Sequence, residues 1–195
     1  MRKLLIFFLF GCNLTFSQHS EKDVFAFQDE LKKFYLNPEK TPLNADELAV
    51  FQGIQFYPYS EEYIVTAQVE YLYDQPTFLM ASSGKIQQEY KRFAILHFYL
   101  KGKKYQLEAY QRVRQPNHSE DEISVFLPFL DETNGKTTAE IGRYIDVTIT
   151  QGAQEITLNF NKSYHPYCAY THGYSCPITP FVNSIDIPVK AGVKY

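Results

Sequence analysis

RFAILHFYLKGKKYQLEAYQRV, residues 92–113, is the stretch whose reading decides the fold. Its first arm is rich in aromatic and branched side chains, and its second alternates Tyr105, Leu107 and Ala109 with Gln106 and Glu108. Alternation of period two is the mark of a strand with one face buried. Lys101-Gly102-Lys103 between the arms is a tight reversal, so residues 92–100 and 105–113 read as an antiparallel hairpin with a charged, solvated tip.

Working outward, the same texture recurs from Ile54 onward, with turn chemistry at intervals of roughly ten residues, as antiparallel sheets require. Residues 63–73, 77–81, 123–130, 141–150, 156–160 and 184–189 read as further strands. Ser82-Ser83-Gly84 is a turn, and Asn134-Gly135 predicts a type I′ reversal, because both residues tolerate positive φ. Upstream the period changes to that of a helix. Val24, Phe27, Leu31, Phe34 and Tyr35 follow a cap at Ser20 and stop at Asn37-Pro38; Asn44 with Glu47 then announces a second helix ahead of Gly53. The expected architecture is mainly β (α+β): an antiparallel β-sandwich or partly open barrel with two short N-terminal helices. The 16 Tyr and 16 Phe residues, with no Trp, suit a sheet whose rings fill a core and pair across strands, while leaving hydroxyls free to face a ligand.

The first residues have the form of a secretory leader. Arg2 and Lys3 precede an apolar run, residues 4–10, too short to span a bilayer, and small residues at Thr15 and Ser17 suit cleavage before Gln18. Cys12, after Leu9-Phe10-Gly11, offers a lipid-anchor variant of the same export. The organisation is thus a signal peptide at 1–17, a helical segment at 18–50 and one β domain at 51–195, exported to a periplasmic or extracellular location. A net charge of −3 and the lack of clustered Lys and Arg exclude a nucleic-acid partner.

Export sets the reading of the cysteines. Cys168 and Cys176 form an even pair in an oxidising compartment, so a disulfide is the default. His165-x2-Cys168-x3-His172-x3-Cys176 carries zinc-type ligands, but its spacing is not that of a recognised knuckle, and no metal or other cofactor is assigned. A Cys168 nucleophile with His172 or His165 as its base is the third possibility. No Gly-x-Ser-x-Gly elbow, phosphate-cradling loop or His-Glu-x-x-His helix is present.

Residues 126–136 (FLPFLDETNGK), 142–146 (GRYID), 158–170 (LNFNKSYHPYCAY) and 174–177 (YSCP), with Asn183, Ala191-Gly192 and the upstream FQGIQFYP at 51–58, closely resemble the DUF1684 family of uncharacterised prokaryotic proteins. In that family's pattern the first cysteine sits in Asn-Pro-Pro-Cys-Ala-Phe, so His165 and Tyr167 are departures, as is Val193 in place of an acid near the end. The resemblance implies a site where its matching polar residues converge: Asp131, Arg143, Tyr144, Asn159, Asn161, Tyr164 and Asn183. Their alternative role is internal, with Arg143 paired to Asp131 or Asp146 and the asparagines satisfying backbone groups. The functional expectation is a module binding a small molecule or glycan. An enzyme, possibly a hydrolase, around Asp131, Arg143 and Cys168, and a structural envelope component, are the alternatives.

Overall fold

The computed structural model describes residues 14–114 and 121–195, with side chains from residue 21 onward; the expected leader's apolar run and Cys12 lie outside the described residues. Helix α1 (Leu14–Leu36) buries Val24, Gln28 and Tyr35 along one face and stops just short of the Asn37-Pro38 pair, since a residue before proline is pushed out of the helical region. It is already helical at Leu14, so Ser20 lies inside it and is not its cap. Helix α2 (Ala45–Val50) begins as expected. Asn44 Oδ1 accepts from the Glu47 amide, and a Glu47 carboxylate oxygen accepts from the Asn44 amide, both at 2.9 Å.

The strands are β1 (Gln55–Phe56), β2 (Ile64–Tyr71), β3 (Thr77–Leu79), β4 (Glu89–Leu100), β5 (Lys103–Arg112), β6 (Glu122–Asp131), β7 (Arg143–Thr150), β8 (Glu155–Asn159), β9 (Ser184–Ile185) and β10 (Val193–Lys194). One sheet runs β7-β6-β5-β4-β2-β8 through antiparallel pairs, with β3 beside β4, and it curls into a nearly closed barrel. Of the two expected architectures, the partly open barrel is the one formed. β1 and β10 make a separate two-stranded ribbon. The strand expected over 184–189 shrinks to β9, which pairs with β6 in parallel.

The hairpin that opened the reading is the longest pairing in the sheet, from Tyr90↔Arg112 to Leu100↔Lys103. Lys101 (φ 49°) and Gly102 (φ 79°) both take positive φ, the requirement of a two-residue type I′ loop. The I′ turn expected at Asn134-Gly135 is not formed, because Asn134 does not adopt positive φ. Residues 132–142 make a longer connection instead, held by the Asn134 side chain, which accepts from the Asp131 amide at 2.5 Å and donates to the Ala139 carbonyl at 2.8 Å.

Alternation along β6 and β7 explains why both faces of the sheet are apolar. Val125, Leu127 and Phe129 point into the barrel with Ile145, Val147 and Ile149, against Leu96, Phe98 and Leu107. Each such side chain contributes about 1.5–3 kcal/mol on burial. Phe126, between them, points outward into a second cluster of Met80, Tyr90, Tyr110 and Tyr144. A third cluster, Tyr35, Leu43, Ile54 and Val193, ties the N-terminal helices to the last strand. Among the described residues, no helix is long and apolar enough to cross a membrane.

Candidate functional site

The polar residues expected to converge separate into three internal clamps and one cavity. The first clamp centres on Arg143, whose side chain and that of Asp131 have no solvent exposure. Arg143 donates to the carbonyls of Ala191 (2.6 Å) and Val189 (2.8 Å) and to the Asp131 carboxylate (3.0 Å), which also accepts from the Val189 amide at 2.6 Å. Of its two foreseen partners it takes Asp131. The pair fastens the strandless segment 189–191, just ahead of β10, to the barrel. In the second clamp, the Asn161 amide donates to Asn159 Oδ1, while the Asn161 side chain exchanges two bonds with the backbone of Ser60. The third repairs the sheet: Pro128 has no N–H for the β5–β6 ladder, and Asn183 bridges the gap by bonding the Glu108 amide (2.8 Å) and the Pro128 carbonyl (2.7 Å). Asp131, Arg143, Asn159, Asn161 and Asn183 therefore hold chain segments together, and none of them lines the cavity beneath α1.

Tyr144 and Tyr164 do. They border a cavity of about 540 Å³ between α1 and the outward face of the sheet. Its floor is the outer aromatic cluster, where Tyr144 and Asp146, two positions apart on β7, share a face. Phe27, Leu31, Phe34 and Tyr35 of α1 form one wall, and the segment from Tyr164 to Pro177 forms the other. Tyr164 donates to the Asp146 carboxylate at 2.6 Å; Tyr144 donates to the Pro177 carbonyl. Arg112, at the end of β5, lies over the Phe126 ring at 5.0 Å and donates to the Tyr90 hydroxyl at 3.2 Å. Burial pushes the Tyr144 and Tyr164 hydroxyls well above their ordinary pKa, so both stay protonated donors.

One group in this cavity lacks a partner. Tyr35 is 1% exposed, yet its hydroxyl makes no hydrogen bond among the described residues. A buried donor left unpaired costs about 1–3 kcal/mol, a cost that a hydrogen bond to a molecule in the cavity would remove. Burial raises its pKa, and Tyr170, Tyr167, Cys176 and Cys168 are close enough to raise it further.

The cysteine segment corrects the expected disulfide. Cys168 and Cys176 are free thiols. The single turn of helix at Tyr167–Ala169 presents the Cys168 amide, in place of a bonded sulfur, to Cys176 Sγ at 3.2 Å. The strap carrying Cys176 is zipped to residues 81–83: the Cys176 amide donates to Ser83 Oγ (3.1 Å), and the Ser83 amide donates to the Cys176 carbonyl (2.9 Å). Hydrogen bonding from the Cys168 thiol, then from the Cys168 amide and Ser83 hydroxyl, draws the Cys176 pKa down against the effect of burial. The same thiol–thiol bond, with burial, drives Cys168 up. The Cys168 amide, aimed at Cys176 Sγ, makes Cys176 the sulfur of the pair with a backbone donor to stabilise negative charge.

His165 does not serve as the base envisaged for Cys168. His165 Nε2 accepts from the Ala139 amide at 3.0 Å, which places the ring proton on Nδ1, directed at the Tyr170 hydroxyl 2.9 Å away. Burial pushes its pKa to about 3, so the ring is neutral. His172 is exposed. Among the described residues, no three His, Cys, Asp or Glu side chains are placed to hold a metal ion.

Arg112, the α1 wall and the places of Asp146 and Cys176 in this cavity escaped the reading of the sequence. Only the α1 wall left a trace there: Phe27, Leu31 and Phe34 form the helical stripe that announced the element, but nothing local showed that this stripe roofs a space.

Compared with known proteins, residues 49–194 match the family described as a protein of unknown function, DUF1684. The solution NMR structure of an uncharacterized protein from Haloarcula marismortui is 27% identical to this chain, with a TM-score of 0.73, covering 92% of this chain and 96% of that one. No curated protein matches. Helix α1, which walls the cavity, precedes the matched span.

Proposed function

This chain belongs to the DUF1684 family, and we propose that it is an exported protein that binds a small organic molecule in the cavity beneath α1. The observation that carries the reading is the cavity itself: aromatic and aliphatic walls, polar groups gathered at Arg112, Asp146 and Tyr164, and a buried Tyr35 hydroxyl without a partner. Such sites are apolar vessels with a few polar anchors that fix orientation. The ligand is a molecule with an apolar body and a hydrogen-bonding end, in preference to a glycan. Tyr144 meets Tyr164 edge-on at an interplanar angle of 88° and Phe126 at 71°, so the floor is not a flat platform for a sugar face. Export is supported by the Arg2-Lys3 start and the apolar run at 4–10. A site built on Asp131 and Arg143 has no support, because both side chains are enclosed and bonded to each other and to neighbouring backbone.

Ligand-observed NMR against a panel of small aromatic acids, short amphiphiles and oligosaccharides tests the proposal. Binders are expected in the first two classes. Leu31→Arg, which puts a charge in the wall, is expected to weaken them at least about tenfold, equivalent to about 1.4 kcal/mol, with unchanged circular dichroism. A panel without a single binder, or undiminished affinity in Leu31→Arg, would sink the reading.

A further inference from the structure

We infer that Cys176 is a reactive thiolate that reduces an organic hydroperoxide held in the cavity, and that Cys168 is the thiol that resolves the oxidised product. The inference rests on the cavity reading and adds a chemistry to it. Three placements carry it. Cys176 lines the cavity and is 6% exposed. Cys168 is its immediate neighbour, with its amide on Cys176 Sγ at 3.2 Å. The Tyr35 hydroxyl, bonded to nothing among the described residues, lies in the same cavity and within electrostatic reach of both sulfurs.

The choice of substrate follows from these groups. A protein disulfide is too bulky to reach a sulfur so enclosed, whereas the terminal oxygen of a hydroperoxide is small. An electrophile that merely alkylates Cys176 would leave a stable thioether, with no role for a second thiol in contact. A hydroperoxide requires three things: a thiolate, a proton donor for the alkoxide that departs, and a thiol to discharge the oxidised sulfur. Cys176, Tyr35 and Cys168 answer them in turn. The apolar walls take the organic part. The thiolate owes its stability to the donors around it and to no base, since both ring nitrogens of His165 are engaged.

In the first step the Cys176 thiolate attacks the terminal oxygen of ROOH: a sulfur–oxygen bond forms, the oxygen–oxygen bond breaks, and sulfur gives up two electrons. The departing alkoxide takes a proton through Tyr35, which regains one from solvent, leaving Cys176–SOH and ROH. In the second step the Cys168 sulfur attacks Cys176, the sulfur–oxygen bond breaks, and hydroxide leaves as water with the Cys168 proton; the product is the Cys168–Cys176 disulfide. Return to the dithiol is left to an external thiol, so a single turnover is the event to measure.

The test uses the full chain in a Cys12→Ser background, reduced and then exposed to cumene hydroperoxide or hydrogen peroxide, with intact mass and dimedone trapping as readouts. The expected result is loss of two hydrogens in the parent, gain of one oxygen with dimedone capture in Cys168→Ser, and no change in Cys176→Ser. Cumene hydroperoxide is expected to react at least about tenfold faster than hydrogen peroxide, and Tyr35→Phe to slow it about tenfold while unfolding at the parent's temperature or higher. An unchanged parent mass, or oxidation that survives in Cys176→Ser, overturns the inference. The inert product 2-phenyl-2-propanol separates the two readings. Its binding without oxidation overturns the thiol chemistry and keeps the cavity; failure of both overturns both; equal rates with the two peroxides and no binding of the alcohol removes the cavity's part.

Discussion

Arg143 shows how far a single residue's role depends on where its donors point. A guanidinium on a strand next to aspartates is the usual equipment for holding a ligand's carboxylate, yet this one is enclosed and donates to Val189, Ala191 and Asp131. Its task is mechanical, and the cost of removing it is correspondingly large. Arg143→Met leaves the Asp131 carboxylate buried with no counter-charge, and is expected to lower stability by about 3–5 kcal/mol in urea denaturation, with part of the loss recovered in the double variant Asp131→Leu/Arg143→Met. A loss below about 1 kcal/mol would show the clamp to be dispensable. Arg112 is the converse, an arginine with no motif to announce it that reaches the cavity because β5 ends there.

At the scale of elements, α2 stands by its cap. It has no fully buried residue and packs only through the half-buried Leu48, so the reciprocal Asn44–Glu47 bonds carry much of its stability. The Glu47 carboxylate also accepts from the Thr171 hydroxyl at 2.7 Å, which ties α2 to the loop between the two cysteines. Asn44→Ala is therefore expected to raise amide exchange by about fivefold over residues 45–50, the usual worth of an N-cap, and to loosen residues 169–172 with it, while the melting temperature barely moves. Unchanged exchange at 169–172 would show the tether to be idle. The two reversals, Lys101-Gly102 and Asn134-Gly135, carry the complementary lesson. The first makes the I′ turn because the strands on either side of it are paired right up to Leu100 and Lys103. The second does not, because the Asn134 side chain is taken up in bonds to Asp131, Thr138 and Ala139.

For the whole molecule, His165 joins the 132–142 connection, the cysteine segment and the C-terminal Tyr195 at one point, its ring 4.7 Å from that of Tyr195. Its folded pKa of about 3 lies below the ordinary 6.5, so between those values the unfolded chain binds the extra proton. The contribution of His165 to stability is expected to be full above about pH 6.5 and to be lost as the pH drops toward about 3. Carboxylates titrate below the span from about pH 6.5 to 5, and the difference between parent and variant there separates His165 from the other histidines: His165→Gln should show a shallower slope in urea-derived stability than the parent. Equal slopes in the two proteins would mean that His165 is not held neutral.

What the sequence alone determined is the class of the fold, most strand positions, the α2 cap and the family resemblance, because these are local. Period-two alternation over 92–113, a glycine at a reversal, or Asn44 three residues ahead of Glu47 acts between residues a few positions apart, and the physics is complete within the window. What only the tertiary structure decided is which polar residues serve the fold and which face a space. Asp131 and Arg143 read like a site and are a clamp; Cys168 and Cys176 read like a cystine and are unbonded sulfurs, one held by the other's amide; Tyr35 read like helix core and carries an unpaired hydroxyl. Each distinction turns on burial and on partners brought from distant parts of the chain, and those are properties of the folded contact and not of the residue.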